Sequence, residues 1–103
     1  MERIDLIPPG EILLTEFMEP HGISQTKLAG DLDIPQSRIA DIIKGQRGIT
    51  VDTAMRLSVY FSTSVKFWLN LQSNYDIEKA ERSGEFEIIT SRVRLNANVV
   101  HME

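Results

Sequence analysis

From Ile23 to Lys44 the apolar positions recur at spacings of three and four. Leu28 and Leu32 stand at i and i+4, and Ile39, Ile42 and Ile43 repeat at three and four. Each set makes one apolar stripe along a helix. Ser24 suits the cap of the first helix, because its hydroxyl can accept an orphan backbone N–H. Ala29 falls where two helices must come close. Asp33 ends the first helix where glycine is usual, and it tolerates the left-handed conformation at some cost. Pro35 suits the start of the second helix, where its missing N–H loses no bond. Gln36, Ser37, Arg38 and Asp41 are left on the outer face. The pattern predicts two short helices joined by a tight turn.

The flanks carry the same periodicity. Residues 1–9 end in Ile7-Pro8-Pro9 and read as an extended arm. Gly10 to Met18 read as a helix with Ile12, Leu13, Phe17 and Met18 inward, closed by Pro20-His21-Gly22. Gly45-Gln46-Arg47-Gly48 breaks the chain again, with Gly45 placed as a C′ residue. Thr50 caps a fourth helix through Phe61, with Asp52 in its first turn, where an acid suits the dipole. Its inward face is Ala54, Leu57, Ser58 and Phe61. Ser64 caps a fifth helix with Val65, Phe67, Trp68, Leu69, Leu71 and Tyr75 apolar. That is too many for one narrow stripe, so a second copy of the chain or a further intrachain element should cover part of it. A polar helical continuation, Ile77 to Arg82, runs to Gly84.

Beyond Gly84 the period changes. Phe86, Ile88, Ile89, Thr90 and Val93 suit a short strand better than a helix. Leu95 to Val100 is a second strand candidate, with Asn96 and Asn98 suggesting a turn or loose tail. A strand needs a pairing edge. A hairpin, pairing across a dimer and ordering on a partner all remain open. The expectation is a single all-α domain over residues 1–103. Residues 1–9 form the arm, 10–76 a five-helix core, and 77–103 a C-terminal extension that includes a β-strand candidate.

The central pair of helices is a helix-turn-helix, and its geometry points to DNA. A helix of this size fits the major groove, with its first outward side chains at base edges. Arg38, in the first turn, can reach a guanine O6/N7 pair, and Gln36 an adjacent base or a phosphate. Ser37 and Asp41 share that outer face. Gln25 and Thr26 open the preceding helix and suit backbone phosphates. Lys44 and Arg47 flank the far end and suit phosphates on the next strand, or serve as solvated cations at a helix C-terminus. An ordinary helical hairpin with a solvated face is the alternative.

Charge modifies the picture. The chain of 103 residues has a net charge of −4, so general attraction to phosphate should be weak. The distribution is uneven. Residues 1–22 carry five acids and one base, residues 23–48 four bases and three acids, and residues 76–103 six acids and four bases. The centre is mildly basic and both ends are acidic. A dimer could place two basic faces on DNA and leave acidic ends for a basic partner. Cysteine is absent, which excludes disulfides and thiolate metal sites. No apolar run approaches 18 residues, and Met-Glu-Arg-Ile-Asp does not resemble a signal peptide. These features predict a cytoplasmic protein without a membrane span. His21 and His101 have no spaced partner for metal binding or nucleophile activation, and no glycine-rich phosphate loop is present. No catalytic residue, metal or cofactor is expected.

Several runs carry a family resemblance. They are Pro9-Gly10-Glu11-Ile12-Leu13, Ile23-Ser24-Gln25-Thr26-Lys27-Leu28-Ala29, and Arg38-Ile39-Ala40-Asp41-Ile42-Ile43-Lys44-Gly45-Gln46-Arg47-Gly48-Ile49-Thr50. Asp52-Thr53-Ala54-Met55-Arg56-Leu57 and Phe67-Trp68-Leu69-Asn70-Leu71-Gln72 continue it. Over roughly residues 6–80 the chain resembles the HigA family of antitoxins, virulence-associated protein I-like, within the Xre/Cro-type helix-turn-helix class. The aromatic pair followed by Leu-Asn-Leu-Gln separates that family from generic Cro-type repressors. Asp33, Pro35 and Gln36 depart from the usual pattern.

The resemblance implies a Cro/lambda-repressor-like fold and a non-enzymatic antitoxin. It implies that the chain blocks a RelE-like, ribosome-dependent mRNA-cleaving toxin, binds the operator of its own operon and represses it. The surplus apolar surface of Phe67 to Tyr75 and the unpaired strand candidate at Phe86 to Val93 separately predict a homodimer. A stand-alone Cro-type repressor and a protein-interaction adaptor that no longer reads DNA are the alternative functions.

Overall fold

The computed structural model describes residues 6–99. Among these residues it is all helical, with six α-helices and no strand. Helix α1 (Pro9–Ile12) begins on two prolines whose absent N–H groups fall among the first-turn orphans. It continues without a break as a π-helical turn, Leu13–Met18, and a 3-10 turn, Glu19–His21. The π turn puts Leu13 and Met18 wholly inside and Phe17 against the aromatic side of the core.

Four of the helix ends turn on a left-handed residue, three of them with the same seal. Gly22, Asp33, Gly45 and Ser62 all take left-handed backbone, with φ of 64°, 61°, 78° and 57°. At the first three, two reverse bonds seal the last turn. Ile23 N–H reaches Met18 O and Gly22 N–H reaches Glu19 O; Ile34 N–H reaches Ala29 O and Asp33 N–H reaches Gly30 O. Gln46 N–H reaches Asp41 O and Gly45 N–H reaches Ile42 O. These are Schellman closures, which satisfy carbonyls that the helix itself leaves orphaned. At Ser62, Thr63 N–H reaches Ser58 O.

Helix α2 (Gln25–Leu32) is capped by the Ser24 hydroxyl, which accepts from Lys27 N–H at 3.0 Å. Helix α3 (Gln36–Ile43) starts one residue later than its proline suggests. Pro35 is extended, with ψ 143°, and stands as the N-cap; Gln36 is the first helical residue. Helix α4 (Val51–Phe61) is capped by Thr50 and helix α5 (Val65–Arg82) by Ser64, each accepting the N–H three residues on. The core is Leu13, Met18, Leu28, Ala29, Leu32, Ile39, Ile42, Ile49, Ala54, Leu57 and Trp68. Trp68 is fully buried among Phe17, Phe61 and Phe67, and its indole N–H donates to Thr63 Oγ1 at 2.7 Å. The loop after α3 is tied to α5, because Gln72 Oε1 accepts from Ile49 N–H at 2.8 Å. Two prolines and Gly10 let α1 lie against the end of α3.

The strand expected at Phe86 to Val93 is instead helix α6 (Glu85–Arg92). A lone strand would leave its N–H and C=O groups without a ladder, whereas a helix satisfies them internally. The charges agree, with Glu85 and Glu87 in the first turn and Arg92 in the last. Residues 95–99 of the second strand candidate form no strand either. Asn96 makes a turn there, its side chain accepting from Asn98 N–H at 2.9 Å; Val100 lies outside the described residues. Among the described residues the count is thus six α-helices rather than five. No residue of α6, nor of α5 beyond Leu71, belongs to the core. The radius of gyration is 17.2 Å, against about 13 Å for a compact chain of this length.

Candidate nucleic-acid interface

The recognition element follows from burial. Ile39 and Ile42 are fully inside, so the opposite face of α3 is outward. Gln36 and Ser37 are exposed at its first turn, and Arg38 is half-buried beside them. Thr26 is exposed and Gln25 half-buried at the start of α2. Lys44 and Arg47 are exposed in the loop beyond α3, while Asp41 is half-buried on α3 itself.

Arg38 does not extend freely from the surface. Its Nη1 donates to Asp52 Oδ2 at 3.1 Å, across to the first turn of α4. The same oxygen accepts from Arg56 Nε at 3.0 Å. Arg56 Nη1 in turn donates to the carbonyls of Leu32 and Asp33 at 2.8 and 3.3 Å. One carboxylate therefore links the recognition helix, the first turn of α4 and the turn between α2 and α3. The Arg56 hydrogen bond, with the charges of Arg56 and Arg38 acting the same way, holds the Asp52 carboxyl below the usual carboxylate range against desolvation. Arg38, Arg47, Thr50, Asp52, Thr53 and Arg56 line a cleft of about 400 Å³. It holds three guanidinium groups against one carboxylate.

The structure thus brings Arg38 and Arg47 to one cleft. Gln25 and Thr26, at the head of α2, are not among the residues that line it. Asp52 and Arg56 belong to the same surface and are absent from the sequence-based set. The i, i+4 spacing of Asp52 and Arg56 is a visible signal for their own pair. The 14-residue reach from Arg38 to Asp52 has none. Among the described residues no group of three His, Cys, Asp or Glu side chains could hold a metal, and no helix is long and apolar enough to cross a membrane.

Known proteins match this architecture. The helix-turn-helix family model matches residues 14–68. Virulence-associated protein I of Dichelobacter nodosus is 49% identical over 74% of this chain and 70% of its own length. A HigA-family addiction module antidote protein from Coxiella burnetii superposes with a TM-score of 0.80 at 41% identity. That match covers 90% of this chain and all of the other. The Pseudomonas aeruginosa antitoxin HigA, solved with the higBA promoter, gives a TM-score of 0.79 at 38% identity, over 92% of this chain and all of its own. Outward-facing α3, its arginine cleft and these likenesses converge: the chain belongs to the helix-turn-helix family, in the branch of the HigA antitoxins and virulence-associated protein I.

Proposed function

We propose that this chain is an antitoxin that represses its own operon by binding operator DNA and that neutralises a RelE-like mRNA-cleaving toxin. The observation that carries the DNA half is the first turn of α3. Gln36, Ser37 and Arg38 are presented outward beside a cleft lined by two further arginines. Base edges are read from that position, and the flanking cations suit phosphates. The similar P. aeruginosa HigA, solved with its promoter, supports the same assignment. Arg38 reads a base, with Gln36, Ser37 and Asp41 on the same face; Gln25, Thr26, Lys44 and Arg47 hold the backbone.

The active form is a homodimer joined through α6 and the distal half of α5. Phe86, Ile88 and Ile89 are exposed on α6, Val93 just beyond its end, and Ile77 on α5. Glu85 and Glu87 at one end of α6 and Arg92 at the other complement each other when two copies pair antiparallel. The two recognition helices then lie about 34 Å apart, one turn of B-DNA. The toxin, a basic ribonuclease, meets the acidic residues 1–22, the tail from Asp76, or both, and leaves Arg38 free. This half rests on charge distribution and family membership.

A duplex from immediately upstream of the gene, compared with a scrambled duplex of equal length, tests the DNA half. Preference for the upstream duplex is expected; equal binding overturns it. Co-expression with any small basic reading frame beside the gene tests the toxin half. Relief of growth arrest with co-purification is expected, and unrelieved arrest overturns it.

A further inference from the structure

Asp52 is an acid in a surface offered to a polyanion. Its carboxylate faces the cleft lined by Arg38, Arg47 and Arg56, where a negative charge repels phosphate. Its role as a first-turn acid on α4 does not require contact with Arg38. Yet Oδ2 binds both Arg38 and Arg56, and Arg56 is anchored on the carbonyls of Leu32 and Asp33. A guanidinium is a fork on a stem with several free torsions, so its aim has to be imposed from outside. A single contact through Nη1 leaves the rest of the Arg38 fork able to donate to a base.

We infer that Asp52 is the residue that sets sequence selectivity at this interface. It holds Arg38 on the first turn of α3. Its charge repels the phosphates of every duplex alike. Selectivity comes from the aim: where the held Arg38 meets a guanine it pairs bidentately, and where it meets none that gain is absent. The inference rests on the operator-binding reading and adds to it a residue that touches no base.

The test compares four chains: wild type, Asp52→Asn, Arg38→Ala and the double variant. Each is titrated with the upstream duplex and with its scrambled counterpart at fixed salt, after thermal melting has established that all four fold. Asp52→Asn keeps the shape and removes the charge. It should tighten scrambled binding more than upstream binding, so that the selectivity ratio falls by about five-fold or more, within the range of one lost bidentate contact. In the Arg38→Ala background the same change should leave the ratio unmoved. Equal tightening on both duplexes would reduce Asp52 to a general charge and overturn the inference. A selectivity loss that persists without Arg38 would overturn it as well, because Asp52 would then act through another residue. If wild type itself fails to prefer the upstream duplex, the operator reading falls first and takes this inference with it. A selective wild type with an equally selective Asp52→Asn overturns the inference alone.

Discussion

Gly10 and Ile42 meet backbone to backbone. A Cβ at Gly10 would lie 2.6 Å from the carbonyl carbon of Ile42 and 2.8 Å from the Cα of Ile43. Glycine therefore fixes how closely the first helix approaches the end of the recognition helix. In an unconstrained helix, alanine is favoured over glycine by about 1 kcal/mol. Here Gly10→Ala should instead destabilise by about 1–3 kcal/mol, the usual range for overpacking. A urea midpoint at or above that of the wild type would contradict the contact.

Arg38 and Arg47 should fail differently on DNA. Arg38→Ala should cost about 1–3 kcal/mol per half-site on the upstream duplex and relax preference at one base position. Arg47→Ala should weaken every sequence alike and lower the salt slope by about one unit per half-site. Titrations of both duplexes across a salt series separate the two. Equal loss on both duplexes for Arg38→Ala would mean that this arginine grips phosphate.

Acid should loosen the contact between α2 and α4. The Tyr60 hydroxyl donates to Asp31 Oδ2 at 2.8 Å and Lys27 Nζ to the same oxygen at 3.0 Å. The Tyr60 bond, then the Lys27 bond, holds the Asp31 carboxyl below its ordinary value. A group depressed on folding stabilises above its unfolded pKa, about 4, and that stabilisation disappears as pH falls through the folded pKa. The thermal midpoint should therefore drop below about pH 4. Asp31→Asn should lower the midpoint at neutral pH and shallow that acid limb, the two proteins converging in acid. Identical acid limbs in the two proteins would rule the contribution out.

The α6 face should control assembly. Phe86→Lys and Ile89→Glu each place a charge in the exposed apolar surface and should convert a dimer into a monomer while the helical circular dichroism persists. Light scattering at micromolar concentration reads the result. A wild-type chain that is wholly monomeric there would count against this interface.

Most of the scaffold was legible because its signals are local. The caps at Ser24, Thr50 and Ser64 and the left-handed ends at Asp33 and Gly45 are all read within a few residues, and each is present. The α6 segment was misread because Ile88, Ile89 and Thr90 are β-branched in a stretch with an alternating start. Local preference favoured a strand, and only the lack of a pairing edge decided against it. The demand for glycine at position 10 and the tether between Arg38 and Asp52 were illegible for a different reason. Both are contacts between elements far apart in sequence, and no periodicity encodes them.

The left-handed helix ends have a consequence for how such a protein changes over time. The turn between α2 and α3 is sealed at Asp33 by main-chain bonds and braced by the Arg38–Asp52–Arg56 link, so the angle between the two helices does not depend on Gln36 or Ser37. Gln36 and Ser37 point outward from a frame they do not help to hold. Exchanging them re-letters the surface without re-aiming the helix. New operator preferences are thus reachable by outer-face substitutions alone, each passing through a folded intermediate. A β-branched residue at Gly45 would break the frame before any new DNA sequence could be read.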